Sequence, residues 1–374
     1  VRLAGMTEII YRLSSPEFQM PTPVTLAQIA QEVGVTTATV SMALRGKPGI
    51  SSETVRRVKA AAERLGYRPD PRFSQLMQFL RTRKDAPFHA TIAYVHDFPS
   101  KDGYNHLHTH AEFFLGARQR AAELGFKIEP FWAREPGMTA GRMRAIFRAQ
   151  GIPGAIFTTP SAATWPLREE FAGLGVAVVG YTAWTPQYCR ACSNQHHSML
   201  VALSNIERLG YRRIGLVLSN QDDANAETNW LSAYLGHHHA LPRERKIAPL
   251  LGPAQKIFTR QALGAWLEKH RPDCVIGHTN PLLDGIQNLG FRVPRDVGFA
   301  SLDLFPRDDG LECSGIDQVS SAVGSAALEL VVGQIAFRQP GCRERPRLVL
   351  IEGIWQDGAT TVAKKATPAK RSAK

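Results

Sequence analysis

A chain of 374 residues, 44% of them hydrophobic, can bury enough apolar surface for more than one domain, which excludes a disordered polypeptide. It contains no stretch of about 18 consecutive apolar residues and opens without the cationic start and apolar block of a secretory signal, so no membrane partner and a cytoplasmic location are expected. Five scattered cysteines suit reduced thiols rather than a disulfide framework, and the formal net charge of +12 becomes informative only once it is located along the chain.

Residues 1–20 carry no sustained helical or strand period and are expected to be an extension or a mis-assigned start, since Met20 precedes Pro-Thr-Pro. Thr25 can then cap a helix from Leu26 to Val33, Gly34 can turn the chain, and Thr36 can cap a second helix from Thr37 to about Leu44. A third helix is predicted after Ser51, with Glu53 in its first turn, Val55, Val58, Ala62 and Leu65 facing inward, and an end at Gly66-Tyr67. Two short helices joined by a glycine turn form a helix-turn-helix. From Pro21 to Lys84 eleven Lys and Arg side chains face four acidic ones, residues 85–358 are close to neutral, and the tail beyond Gly358 adds five cations without an acid. A near-neutral body with a basic head is the charge layout of a nucleic-acid binder carrying a separate ligand or assembly domain. Three packed helices with no nucleic-acid role would leave that local excess unexplained.

From Thr91 the pattern becomes brief apolar runs alternating with helix-period segments. The runs are Thr91–Val95, Ala155–Phe157, Val176–Val179, Ile214–Leu218, Cys274–Ile276 and Val297–Ala300; a helix with Phe114, Ala117, Ala121 and Leu124 on one face, closed by Gly125, lies between the first two. This alternation predicts parallel sheets covered by helices on both faces, long enough for two doubly wound subdomains with a cleft between them.

In a helix-turn-helix the first turn of the second helix faces the major-groove base edges, which singles out Thr36, Thr37, Ala38 and Ser41. Thr25, Thr39, Arg45, Tyr67 and Arg72 are further candidate DNA contacts. The segments Val24–Ala30, Gly34–Thr36, Ala38–Ser41, Gly49–Thr54 and Leu65–Pro69 resemble the LacI/GalR family of bacterial repressors over about 50 contiguous residues, in the right spacing. The resemblance implies an all-α helix-turn-helix head at 21–69, a hinge helix and linker at 70–88, an α/β periplasmic-binding-protein-like (type I) sensing domain of two doubly wound subdomains at 89–360, and a basic tail at 361–374 that is expected to be disordered. It also implies a homodimer on a palindromic double-stranded DNA operator, with Leu76 of each hinge wedged into the minor groove at the operator centre; packing of Leu76 on the partner hinge is the alternative. Met42 departs from the family's usual arginine and cannot make a bidentate guanine contact, so the operator sequence need not follow the family consensus.

Ligands of open α/β sheets bind outside the carboxyl ends of strands, which makes Asp97, Phe98, Tyr181, Trp184, Asn194, Trp230, His278 and Asp303 the candidate effector contacts. Segments 126–131, 210–215, 290–299 and 315–318 match landmarks of the same family. Asp303 falls where the family has an acidic residue that bonds a sugar hydroxyl, but His278-Thr279 replaces the usual Asn-Asp pair and Trp230 stands where arginine is expected, so a sugar is one candidate effector among others. Tyr181, Trp184 and Trp230 suit either ring stacking or ordinary core packing.

Cys189-Arg190-Ala191-Cys192 lacks the setting of a redox or zinc motif, His106, His108 and His110 fit a solvated loop better than a metal site, and His237-His238-His239 suits a helix end as cationic imidazoles. No cofactor is implied, and no phosphate loop, nucleophile elbow or paired catalytic carboxylate motif points to an enzyme. The expected function is a sequence-specific transcription regulator, in the repressor mould, controlled by a small-molecule effector. The alternative is a ligand-independent DNA binder whose large domain only dimerises.

Overall fold

The computed structural model describes residues 26–44, 49–65, 67, 90–158, 171, 173–181, 188–278, 280–337 and 346–364, in two compact units divided between Lys84 and Asp85. The predicted extension, the hinge with Arg72 and Leu76, and the positions Thr25, Arg45 and Trp184 lie outside the described residues.

The first unit holds helices α1 (Leu26–Val33), α2 (Thr37–Leu44) and α3 (Ser52–Arg64). Gly34 turns the chain at φ +71°, a left-handed conformation that a side chain disfavours. The Thr36 hydroxyl accepts from the Thr39 N–H at 3.2 Å and Ser51 accepts from Thr54 N–H, so α2 and α3 start where a hydroxyl replaces a missing helical acceptor. Ile29, Val33, Val40, Ala43, Val58, Ala61 and Ala62 form the core, and Arg57 donates to the Val33 carbonyl at the end of α1 at 2.7 Å.

The second unit contains two six-stranded sheets. Its strands are β1 (Thr91–His96), β2 (Lys127–Trp132), β3 (Gly154–Thr158), β4 (Gly175–Val179), β5 (Cys189–Ser193), β6 (Ile214–Ser219), β7 (Leu250–Gly252), β8 (Cys274–Gly277), β9 (Gly298–Ser301), β10 (Gly315–Asp317), β11 (Leu348–Ile351) and β12 (Ile354–Gln356). Its helices are α4 (His108–Glu123), α5 (Ala140–Ala149), α6 (Gln195–Arg208), α7 (Asn220–Asn225), α8 (Asn229–His239), α9 (Ala254–Ile257), α10 (Arg260–His270), α11 (Asn280–Asn288) and α12 (Ser320–Ala336). The first sheet runs β11-β5-β4-β3-β1-β2 and is parallel throughout; the second runs β12-β10-β9-β8-β6-β7 and is parallel except for β12 against β10.

The continuous apolar runs follow from cover on both faces. Ile92, Tyr94, Ile156, Ala177 and Val179 pack under α4 and α12, while Val95, Phe157, Val176 and Val178 meet Met143 and Phe147 of α5. α4 and α12 touch through their backbones, because a Cβ on Gly116 would lie 1.8 Å from the Ser321 carbonyl and one on Gly324 1.9 Å from that of Phe113. In the second lobe Leu216, Leu218 and Ile276 face α6 and α8, and Val217, Val275 and Phe299 face Leu263, Trp266, Leu282 and Ile286.

The chain passes between the lobes at Asn194, at Gln318 and at residues 352–353. Asn194 N–H donates to the Ile351 carbonyl at 2.7 Å, Ser198 donates to the buried Gln318 at 3.4 Å, and a Cβ on Gly353 would sit 2.5 Å from Ile316. The crossings are thus packed side by side, as a hinge requires.

Several expectations change. The six apolar runs are β1, β3, β4, β6, β8 and β9, but β2, β5, β7, β10, β11 and β12 were not among them; β7 and β10 to β12 are only three or four residues long, and β7, β11 and β12 alternate in exposure. Cys189 and Cys192 belong to β5, where residues three apart point to opposite faces. His108 and His110 begin α4 rather than lying in a solvated loop. His238 is buried, with Nδ1 3.1 Å from the Tyr234 carbonyl and Nε2 3.2 Å from that of Ile214, and burial lowers its pKa, which argues against a cationic imidazole there. Residues 361–364, expected to be disordered, are held to the core by hydrogen bonds: Val362 N–H reaches the Tyr211 hydroxyl at 3.2 Å and Lys364 N–H the Leu209 carbonyl at 2.8 Å. Among the described residues no helix is long and apolar enough to cross a membrane.

Candidate DNA-reading helix and effector cleft

In the first unit the pattern of α2 divides its residues between two tasks. Val40 and Ala43 point inward, which turns Thr37, Ser41 and Met42 toward the opposite side; Thr37 is exposed, Ser41 half-buried and Met42 36% exposed. A major groove is wide enough to admit such a helix, and small hydroxyl side chains let its backbone approach the base edges. Thr36 and Thr39 are bound to each other, hydroxyl to hydroxyl at 2.9 Å, as the cap of α2. Tyr67 packs against the helix core and its N–H donates to the Ala62 carbonyl at 2.8 Å. Of the candidate DNA contacts, Thr37 is exposed and Ser41 half-buried on the second helix, while Thr36 and Thr39 cap it and Tyr67 packs on the core.

In the second unit the carboxyl ends of strands from both sheets meet. His278, directly after β8, has Nδ1 3.2 Å from Asp222 of α7 and Nε2 3.8 Å from Asp303, which follows β9. Burial disfavours a charged imidazole, but the two carboxylates outweigh it and raise the His278 pKa to about 9. Asp222 is in turn held below its ordinary pKa: burial works against this, and His278 and the Ser219 cap prevail. The Trp230 ring lies 5.0 Å from the His278 ring, and its buried Nε1–H has no acceptor among the described residues.

The other lobe reaches this cluster directly. Thr109, in the first turn of α4, donates to Asp303 at 2.9 Å. Beside it His110 Nδ1 lies 3.0 Å from the Thr158 hydroxyl, and burial pulls its pKa down to about 4, with Asp303 opposing and His96 adding to the fall. At another point between the lobes Arg190 of β5 pairs with Glu227 at 2.8 Å.

The structure thus brings Trp230, His278 and Asp303 together. Asp97 is buried 3.9 Å from Arg134, Phe98 packs in the core edge-on to His110, Tyr181 donates its hydroxyl to the Ser193 carbonyl at 2.7 Å, and Asn194 caps α6 by accepting from His197 N–H. These four build the wall and the crossing. His110 was expected in a solvated loop, and Thr109, Thr158 and Asp222 were not singled out from sequence; the helix start at His108 and the Ser219-to-Asp222 cap were the available signals.

Residues 25–70 match the model for bacterial regulatory proteins of the lacI family. The transcriptional regulators MalR of Streptomyces coelicolor and reg1 of Streptomyces lividans are each 25% identical over 203 residues, covering 52% of this chain and 53% of theirs, so the chain spans about half the length of the curated relatives it matches. Among solved structures, the regulator CelR with cellobiose is 19% identical with a TM-score of 0.51 (90% of this chain, 99% of that one), and the lac repressor dimer bound to operator and the anti-inducer ONPF is 18% identical with a TM-score of 0.53 (91% and 100%). A transcription regulator-like protein from Staphylococcus haemolyticus is 12% identical with a TM-score of 0.55 over 73% of this chain and 99% of that one. These structural likenesses are of fold. Residues 25–70 thus carry the sequence match to bacterial regulatory proteins of the lacI family, and the core shares the fold of these structures.

Proposed function

We propose that this protein is a cytoplasmic transcription regulator that binds a palindromic DNA operator as a homodimer and answers to a small-molecule effector held in the cleft. The observation that carries the reading is the convergence of Trp230, His278, Asp222 and Asp303 with Thr109 of the opposite lobe, attached to a head whose α2 turns Thr37 and Ser41 outward. The carboxylates accept hydroxyl or ammonium donors, the Trp230 ring offers an apolar face, and its Nε1–H can donate to the ligand; a polyhydroxylated ring satisfies all three, as does a cationic one. Cellobiose in CelR fits the first of these classes.

The three side-by-side crossings permit the lobes to rotate about them, and an effector that engages Asp303 competes with or completes the Thr109 contact. Such a ligand favours one lobe arrangement by its differential affinity and thereby shifts operator binding. The competing reading, a core that only dimerises, makes the cleft irrelevant. Genome-wide footprinting of the bound protein, followed by thermal-shift screening of compounds processed by the neighbouring genes, separates the two. The regulator reading requires a footprint with twofold symmetry and a compound that raises the melting temperature; scattered, sequence-independent occupancy overturns it.

A further inference from the structure

The near-neutral total of residues 85–358 conceals a polarised core. Parallel strands send all the loops that enter them to one pole, the pole opposite the cleft. On the second lobe that pole gathers residues 207–213 before β6, 243–246 before β7, 268–273 before β8, and Lys364. The segments are laced together. Arg213 donates to the carbonyls of Arg271, at 3.3 Å, and of Glu244 and His270; Arg245 Nε donates to the Arg212 carbonyl at 3.1 Å. Lys364 N–H bonds the Leu209 carbonyl, and its Nζ lies 4.4 Å over the Tyr211 ring.

Nine cations (Arg208, Arg212, Arg213, Arg243, Arg245, Lys246, Lys269, Arg271 and Lys364) stand there against four carboxylates. Two of the carboxylates are paired, Glu207 with Arg245 and Asp273 with Lys364 at 3.8 Å, Asp273 also accepting the backbone N–H groups of Arg212 and Arg213 at 2.8 and 2.9 Å; seven of the nine cations pair with no carboxylate among the described residues. Arg213 is satisfied by neutral carbonyls and keeps its full charge. Arg212, Arg243, Lys269 and Arg271 are exposed and pair with no carboxylate among the described residues. Beyond Lys364 the sequence adds Lys365, Lys370, Arg371 and Lys374 and no acid.

We infer that this pole is a second nucleic-acid surface, one that grips the phosphate backbone of a DNA duplex independently of the helix-turn-helix. A cluster of unneutralised like charges costs the fold energy through repulsion, and a polyanion relieves it by releasing its own counterions. The three adjacent strands β8-β6-β7 spread the loops over about 10 Å, the scale of a B-DNA groove. The aromatic rings of the patch, Tyr211 and Trp266, are buried, so it offers no platform for stacking unpaired bases and favours duplex over single strands. The surface thus deepens no part of the operator or effector reading and stands or falls alone.

The test uses the full chain with its head disabled by Thr37→Glu and Ser41→Glu, and a fluorescent 30-base-pair duplex of arbitrary sequence in graded potassium chloride. The head-disabled protein should bind the duplex with affinity that falls steeply as salt rises. Adding Arg212→Gln, Arg243→Gln and Lys269→Gln, whose side chains make no hydrogen bond or ion pair among the described residues, should flatten the slope of log affinity against log salt by about 0.9 for each phosphate that is no longer neutralised. A chain ending at Lys364 should show a smaller flattening of the same kind. Absence of duplex binding by the head-disabled chain at low salt, an unchanged slope in the triple variant, or tighter binding of a single-stranded than of a duplex probe overturns the inference. Effector binding in the cleft, read by thermal shift, should be unaffected by the three substitutions, which keeps this test separate from the regulator reading.

Discussion

The Thr109 hydroxyl on one lobe donates to the Asp303 carboxylate on the other at 2.9 Å, and the same carboxylate lies 3.8 Å from the His278 imidazole. One acidic group therefore both joins the lobes and helps fix the charge of the cleft.

Replacing Asp303 by Asn keeps an acceptor for Thr109 and removes one of the two charges that sustain the His278 cation. The His278 resonance in a pH-resolved NMR titration should move to a lower midpoint than about 9, and affinity for the effector found by screening should drop roughly 10- to 100-fold, the worth of a hydrogen bond to a charged group. An unaltered midpoint would remove Asp303 from the causes of the shift.

The core's stability should depend on pH in two windows. His278 titrates near 9 in the folded protein against an ordinary 6.5, so its stabilisation is complete below pH 6.5 and is lost as pH rises through 9. His110 is pulled the other way, to about 4: the native state refuses a proton that the unfolded chain takes, so this contribution is complete above pH 6.5 and is lost as pH falls toward 4. Thermal denaturation should give a Tm that declines from pH 6.5 to 9, and His278→Asn should flatten that decline. An equally steep decline in the variant contradicts the assignment.

On the head, Thr36 and Thr37 should separate stability from readout. Thr36→Ala removes the cap of α2 and should cost about 1 kcal/mol of head stability in chemical denaturation, leaving the ranking of operator variants intact. Thr37→Ala should barely change stability yet alter that ranking in a binding assay across a randomised operator library. Met42→Arg should add a preference for guanine at one position of each half-site; a library selection without such a gain would place residue 42 away from the bases.

Leu76→Ala, in the segment that resembles the family hinge, should weaken operator binding far more than binding to arbitrary duplex. Equal weakening of both in a salt-matched titration would rule out the wedge.

Much was legible before any fold was known, for reasons local to the chain. Glycine at 34, hydroxyls at 36 and 51, and inward residues at 29, 33, 40 and 58 specify α1 to α3 by capping and periodicity alone, and six apolar runs announce the buried strands of a doubly wound core. The edge strands β11 and β12 escaped because they are only four and three residues long and stand far along the chain from the strands they pair with, outside the strand–helix alternation. Asn194 and Tyr181 follow strands as expected and yet serve as cap and wall, since a position after a strand says where a residue begins and not where its polar atoms find partners.

The amino-acid order by itself determined the helix-turn-helix, the alternating α/β core and the basic excess of the head, because each is encoded in neighbours a few positions apart. Only the tertiary structure decided that Thr109, Asp222, His278 and Asp303 share one cleft, and that nine cations from four distant segments share one pole. The physical reason is the same for both: a parallel sheet collects the ends of strands that lie far apart in the chain, and charge and hydrogen bonding depend on distance in space.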